Sequence, residues 1–339
     1  MIVTEPEQAT PEWLSDVLHQ PVEAVTAIDR IGTGQMSRNY RLSLTGGPDL
    51  AATIVIKVPS DDAATRELGA GAYSKEVIFY RDVAQRISTG VARCHHHEMS
   101  ESGSEFTLVL DDMAPAEQGD QIAGCTIDEA RRAITNLAGI HAATWNDDAL
   151  AASIGLLDAD ASGLGDLYAM AYDQFVAHYD GRLDPATRPV LDPFRDLASK
   201  WTELGGRPST ITHGDYRLDN LLFTDTTIVA VDWQTLSYGP PARDLAYFLG
   251  NSVRIDDRRK HERELLTHYL DTLAGHGIDY SLADLQADYA LGAWLGPIVT
   301  VVGAFVATRT DRGDEMFIAM ADRAAAQLAD HDSLSVLTT

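Results

Sequence analysis

The chain has 339 residues, 45% of them apolar, with 51 acidic against 26 basic side chains and a net charge of −25. That is enough chain for two lobes with proper cores. The charge argues against nucleic acid or an anionic membrane as partner, because neutralising phosphates takes clustered cations.

Only two cysteines, Cys94 and Cys125, are present, so neither a disulfide framework nor a CxxC-type zinc site can be built. The first residues, Met1-Ile-Val-Thr-Glu-Pro-Glu, lack the basic and apolar regions of a signal peptide, and the expected location is cytoplasmic.

In chain order, Thr10-Pro11-Glu12-Trp13 reads as an N-cap, a proline at the first helical position and an acid in the first turn, opening a short amphipathic helix. From residue 25 to about 113 the chain is strand-rich. Short β-prone runs at 27–31, 40–44, 54–58, 92–99 and 106–110 are separated by Gly/Pro/Ser/Asp punctuation, with one helix expected at about 74–87. Beyond Asp111-Asp112-Met113-Ala114-Pro115 the pattern turns helical, at about 127–148, 165–180, 188–204, 242–252, 258–275, 281–308 and 314–330. A single strand pair near 221–231 interrupts this series. The expected organisation is a β-rich N-terminal lobe over 1–113, a connector near 111–118, and a larger α-rich lobe over 114–339.

Residues 289–308 run uncharged for the length of a bilayer crossing. Three glycines and Pro297 inside the run, and the absence of flanking basic clusters, favour a buried core helix over a membrane span.

The strongest chemical signal is His213-Gly-Asp-Tyr-Arg-Leu-Asp-Asn220 followed by Asp232-Trp-Gln234. The apolar runs 221–223 and 228–231, joined by the polar turn 224–227, predict a hairpin centred near Thr226. Such a hairpin would set Asn220 opposite Asp232, giving an amide oxygen and a carboxylate suited to Mg²⁺. Asp215, on the loop entering the hairpin, would then orient an acceptor hydroxyl and take its proton. Singly, Asp and Asn in loops usually cap turns. Together they match H-G-D-x-x-x-x-N, whose chance occurrence in a chain of this length is on the order of 10⁻³.

These residues resemble the catalytic and metal-binding loops of the aminoglycoside phosphotransferase/choline kinase superfamily, which has a protein-kinase-like fold. The continuation from Leu236 through Asp244 to Leu249 is most similar to ecdysteroid-kinase-like and related bacterial phosphotransferase enzyme family members. The resemblance implies an α+β, two-lobed kinase-like fold. It also implies that Asp215 is the catalytic base, that Asn220 and Asp232 hold magnesium, and that Asp244 is structural, binding backbone of the metal loop or capping the next helix.

Such a fold needs a strand lysine with a glutamate partner. Ile54-Val-Ile-Lys57-Val puts a lysine inside an apolar strand, where an unpaired ammonium is costly. Glu76, expected in the first turn of the following helix, is the natural partner, with Glu67 as the alternative. Gly32, Gly34 and Ser37 lie where a phosphate-covering turn would sit, with a plain hairpin turn as the alternative. Backbone near Asp111 to Met113 would pair with the adenine.

Other features take plainer readings. In Cys94-His95-His96-His97 neighbouring residues alternate faces on a strand, which argues against a shared metal site. His141 and Trp145, four apart, read as helix core. Tyr289 and Trp294 read as core or as contacts to an acceptor.

The sequence therefore implies an ATP- and Mg²⁺-dependent kinase acting on a hydroxyl of a small molecule. The alternative is a catalytically inactive nucleotide-binding module on the same scaffold. Surplus acids would favour a cationic acceptor, weakly, because they are spread along the whole chain.

Overall fold

A computed structural model describes residues 1–32, 36–88, 90–157, 162–206 and 208–338. The chain divides into two compact units. The first comprises Met1–Ile87, Val91–Ala116 and Val231–Leu236; the second comprises Ser88–Gly90, Glu117–Ala230 and Ser237–Thr339.

The first unit begins with α1 (Pro11–Leu18), whose N-cap Thr10 accepts the N–H of Trp13, as the sequence predicts. An antiparallel sheet follows, built from β1 (Val22–Ile31), β2 (Ser37–Gly46), β3 (Thr53–Pro59), β4 (Cys94–Met99) and β5 (Phe106–Asp111), in the order β1-β2-β3-β5-β4. Strand alternation decides which face each residue serves. Ile54, Ile56 and Val58 pack with Leu42, Leu44, Val109 and Leu14 in the core under α1. Lys57, one residue out of phase, therefore points to the other face.

That face carries α2 (Ala63–Ile78), where Tyr73 packs its ring against Phe106 at 4.6 Å. The helix starts four residues after the end of β3, well before the expected residue 74. Asp62 caps it, accepting the N–H of Thr65 at 2.7 Å. Gly69 and Gly71 in its interior weaken the helical signal. Gly69 is required by close packing, since a Cβ there would lie 2.9 Å from the Tyr73 ring. The consequence is that Glu76 sits in the last turn of α2 and not the first.

In the second unit, β6 (Glu117–Gln118) is followed by the helices α3 (Ile127–Ala142), α4 (Asp148–Ser153), α5 (Ser162–Tyr179), α6 (Thr187–Leu191) and α7 (Ala198–Glu203). The short strands β7 (Thr210–Thr212), β8 (Leu221–Phe223), β9 (Ile228–Ala230) and β10 (Ser237–Gly239) come next. Then α8 (Ala242–Ser252), α9 (Ile255–Gly275), α10 (Leu282–Gly292), α11 (Leu295–Val306), α12 (Asp311–Asp330) and α13 (Ser333–Thr338) complete the unit.

The apolar stretch Leu282–Val306 is long and apolar enough to cross a membrane by length and composition. The chain breaks it at Ala293-Trp294 into α10 and α11, where a single helix was expected. Pro297 lies in the first turn of α11, where its missing N–H costs nothing. Tyr289 and Trp294 are fully buried: Tyr289 donates to Glu262 at 2.7 Å and Trp294 stacks on Phe194. They are core residues.

Candidate active site

In the first unit, Lys57 is almost fully buried, and its Nζ lies 2.6 Å from Glu76 and 3.0 Å from Asp232. Burial works against the charge on Lys57, but the carboxylates of Asp232 and Glu76 overcome it and raise the lysine above its ordinary range. Burial and the nearby Asp232 push the Glu76 carboxyl upward, while Lys57 pulls it back. Glu67 is exposed and is not the partner.

Asp232 has a left-handed backbone, φ 67°, a conformation that costs free energy outside glycine and clusters at functional turns. The next residue, Trp233, is fully buried and stacks on Phe79 at 3.5 Å, just past the end of α2. That stack fixes the segment on which Asp232 rides. Gln234 then turns back and donates from Nε2 to Ser37 Oγ at 3.2 Å and to Glu76 Oε2 at 3.3 Å.

Ser37, the first residue of β2, is buried, and Gly32 has the left-handed φ of 71° that a turn residue needs. Gly34 lies outside the described residues. In the connector, the Asp111 N–H donates to Arg93 O and the Met113 carbonyl accepts from Ala116. The Met113 N–H has no hydrogen-bond partner among the described residues.

In the second unit, β7 and β10 pair with Thr212 opposite Ser237. One strand leads into His213 and the other into α8, and so the pairing brings the loop beside the first turn of that helix. There the fully buried Asp244 accepts the N–H groups of His213 at 2.6 Å and Gly214 at 3.0 Å. Burial opposes the Asp244 charge, but His141, 3.3 Å away, and these backbone donors hold its carboxyl below the usual range. Asp244 thus grips the backbone of the loop carrying Asp215 and Asn220; it does not cap the next helix, whose N-cap is Pro241. Gly214, with φ 77°, supplies the left-handed turn between its own N–H and Asp215. His141 is fully buried in α3, while Trp145 lies beyond the end of that helix.

Asp215 is held on both oxygens. Tyr247, one turn beyond Asp244 on α8, donates to Oδ1 at 2.6 Å, and Asn220 Nδ2 donates to Oδ2 at 2.9 Å. Arg217 lies 3.0 Å from the same carboxylate. The Asn220 Nδ2 also donates to the Asp215 carbonyl, leaving Oδ1 with no hydrogen-bond donor among the described residues. An amide oxygen left so, like a carboxylate oxygen, is a hard donor of the kind magnesium takes.

The hairpin that follows pairs Leu221 with Ala230 and Phe223 with Ile228. Its midpoint falls between Asp225 and Thr226, so the direct opposition expected of Asn220 and Asp232 is not a register of this hairpin.

The structure thus brings together Lys57, Glu76 and Asp232 in one unit, and Asp215 and Asn220 in the other. Sequence reasoning missed Arg217, Tyr247 and Gln234. Arg217 and Gln234 each stand two residues after a singled-out aspartate, and Tyr247 three after Asp244, which was the signal on offer. The acids next to Asp215 are also more fully compensated than the net charge suggests. Asp219 takes Arg312 at 3.1 Å and Arg217 at 3.5 Å. On β4, a register shift between Cys94 and His96 breaks strict alternation, and His95 pairs with Asp111 at 2.7 Å.

A model of the phosphotransferase enzyme family matches residues 27–280. No curated protein matches the chain by sequence. Among solved structures, choline kinase from Streptococcus pneumoniae aligns at 17% identity over 96% of this chain and 99% of its own, with a TM-score of 0.54. Wild-type aminoglycoside 2'-phosphotransferase-IIIa in its GDP complex aligns at 15% identity over 92% and 97%, with a TM-score of 0.56. Macrolide 2'-phosphotransferase from Brachybacterium faecium aligns at 17% identity over 91% and 96%, with a TM-score of 0.50. At these identities the likeness is one of fold, a kinase-like α+β fold with a five-stranded antiparallel sheet in one unit and a mostly helical other. The family match spans three quarters of the chain and takes in Lys57, the Asp215 loop, Asp232 and Asp244, so the chain belongs to the phosphotransferase enzyme family and is a phosphotransferase.

Proposed function

We propose that the chain transfers the γ-phosphoryl group of ATP, in its magnesium complex, to a hydroxyl group of a small molecule. The observation that carries this reading is the setting of Asp215. Its carboxylate is fixed by Tyr247, Arg217 and Asn220, on a loop whose backbone is itself fixed by Asp244.

Asp215 would accept the proton of the acceptor hydroxyl as its oxygen bonds to the γ-phosphorus. The bond between that phosphorus and the β,γ-bridging oxygen breaks, and the electron pair leaves with ADP. Lys57, held by Glu76, would meet the α- and β-phosphates. Gly32 and Ser37 would line the phosphate-covering turn, together with Gly34 from outside the described residues. Backbone of Asp111 to Met113, through the Met113 N–H, would take the adenine.

Asn220 and Asp232 are the residues that would hold magnesium, whose chemistry there is to offset phosphate charge. The solved neighbours named for choline, a macrolide and aminoglycosides support a small-molecule acceptor, and the GDP complex supports a purine nucleotide as donor.

Asp215→Ala tests the reading. Phosphoryl transfer from ATP, followed across a library of hydroxyl compounds, should be lost while nucleotide binding persists. Retained transfer would overturn the role of Asp215, and a wild-type protein that binds nucleotide without any transfer would favour the inactive module.

A further inference from the structure

Two acids flank a single cation at Lys57. Glu76 is 1% exposed, and a carboxylate so placed needs a donor for every oxygen it keeps charged. Lys57 serves it at 2.6 Å and also serves Asp232 at 3.0 Å. Gln234 Nε2 serves Glu76 Oε2 at 3.3 Å and Ser37 Oγ at 3.2 Å. The orientation of this amide is forced, because an ionised carboxylate only accepts, so the nitrogen and not the oxygen of Gln234 must face Glu76.

From this geometry we infer that Gln234 is a positioning residue: its amide couples Ser37, at the start of β2, to the Lys57–Glu76 pair and keeps Glu76 satisfied when Lys57 turns towards a triphosphate. The inference rests on the proposed nucleotide site. Lys57 has three N–H donors, and any given to phosphate oxygens is withdrawn from the two acids. Gln234 is the neutral donor that remains on Glu76. The same amide pins Ser37, the first residue of β2, and through this one nitrogen Ser37 and the Lys57–Glu76 pair are held together.

The position therefore calls for an amide. A carboxylate there would face Glu76 with a like charge and Ser37 with no N–H to give. The charged and titratable groups facing Glu76 are Lys57, Asp232, Tyr80 and Cys94, so one added carboxylate joins two already present.

The test is equilibrium binding of MgATP to the full chain, by calorimetry, for the wild type, Gln234→Glu, Gln234→Ala, Ser37→Ala and the Gln234→Ala/Ser37→Ala pair. Gln234→Glu should bind about tenfold more weakly than the wild type near neutral pH. The two alanine variants should each weaken binding by a few-fold, and their losses should not add, because both break one coupling.

Gln234→Glu binding like the wild type, or strictly additive alanine losses, would overturn the inference. If Gln234→Glu does not fold, the alanine cycle decides alone. Failure of the wild type to bind MgATP would overturn the nucleotide site itself and this inference with it. That result differs from the case in which the wild type and the glutamate variant bind equally.

Discussion

The Asp244 carboxylate accepts the His213 N–H at 2.6 Å from a position with no solvent exposure, so a helix residue thirty-one positions downstream sets the backbone of the loop that carries Asp215. The contact is a charge-assisted hydrogen bond in a low-dielectric setting, shared with Gly214 and His141. Three donors converge on one buried anion. Removing the anion leaves two backbone N–H groups and a histidine without their acceptor.

Asp244→Ala is therefore expected to destabilise the fold by about 3–5 kcal/mol, the range for breaking a buried charged pair. Asp244→Asn keeps the shape but not the charge and should lose less. The pH dependence has a definite sign. The folded Asp244 carboxyl lies below its unfolded value of about 3.9, so its contribution is complete at neutral pH and is lost as pH falls through the folded value. Denaturant midpoints measured from neutral pH into the acid range should fall less steeply for Asp244→Asn than for the wild type. Parallel slopes would contradict the role given to this carboxylate.

Lys57 offers the opposite sign. Its raised value means that its contribution is present at every pH below the unfolded value of about 10.4 and is lost only as pH rises through the higher folded one. Lys57→Met strands Glu76, nine-tenths and more buried, without its cation, and should cost about 3–5 kcal/mol. Lys57→Met/Glu76→Leu removes both charges and should recover most of that stability without recovering nucleotide affinity. Chemical denaturation beside nucleotide titration separates the two effects. A double variant no more stable than Lys57→Met would show that the pair is not what holds this part of the sheet.

These partners also show why some of the site could be read from the sequence and some could not. Lys57 announces itself because a charge inside an alternating apolar strand must be explained, and Asp215 and Asn220 because their spacing is improbable by chance. Glu76 was found as a partner but put at the wrong end of its helix, since Gly69 and Gly71 mask an N-terminus that Asp62 caps. The break between α10 and α11 was hidden by an unbroken apolar run, although Pro297 marks a first turn as well as it marks a kink. Tyr247 and Gln234 act through contacts made by tertiary packing, across 32 positions to Asp215 and 158 to Glu76, and no local periodicity carries such information.

Tyr247 leads to the last expectation. Burial pushes its phenol well above the ordinary value and the charge of Asp215 adds to that, so the hydroxyl stays protonated and donates to Asp215 Oδ1 at 2.6 Å throughout the working pH range. Arg217 and Asn220 would still hold the carboxylate in Tyr247→Phe, so the base is loosened and not lost. A hydrogen bond to a charged group contributes about 1.5–3 kcal/mol. If that orientation matters mainly as the hydroxyl is attacked, kcat should fall by roughly 10- to 100-fold. The nucleotide KM should stay near the wild-type value, because nothing that meets the phosphates has changed. Thermal unfolding of the same variant checks for general damage, since a phenol lost from the core without repacking would lower Tm and disturb nucleotide binding as well. An unchanged kcat would remove Tyr247 from the machinery that positions Asp215 and leave its short contact as packing alone.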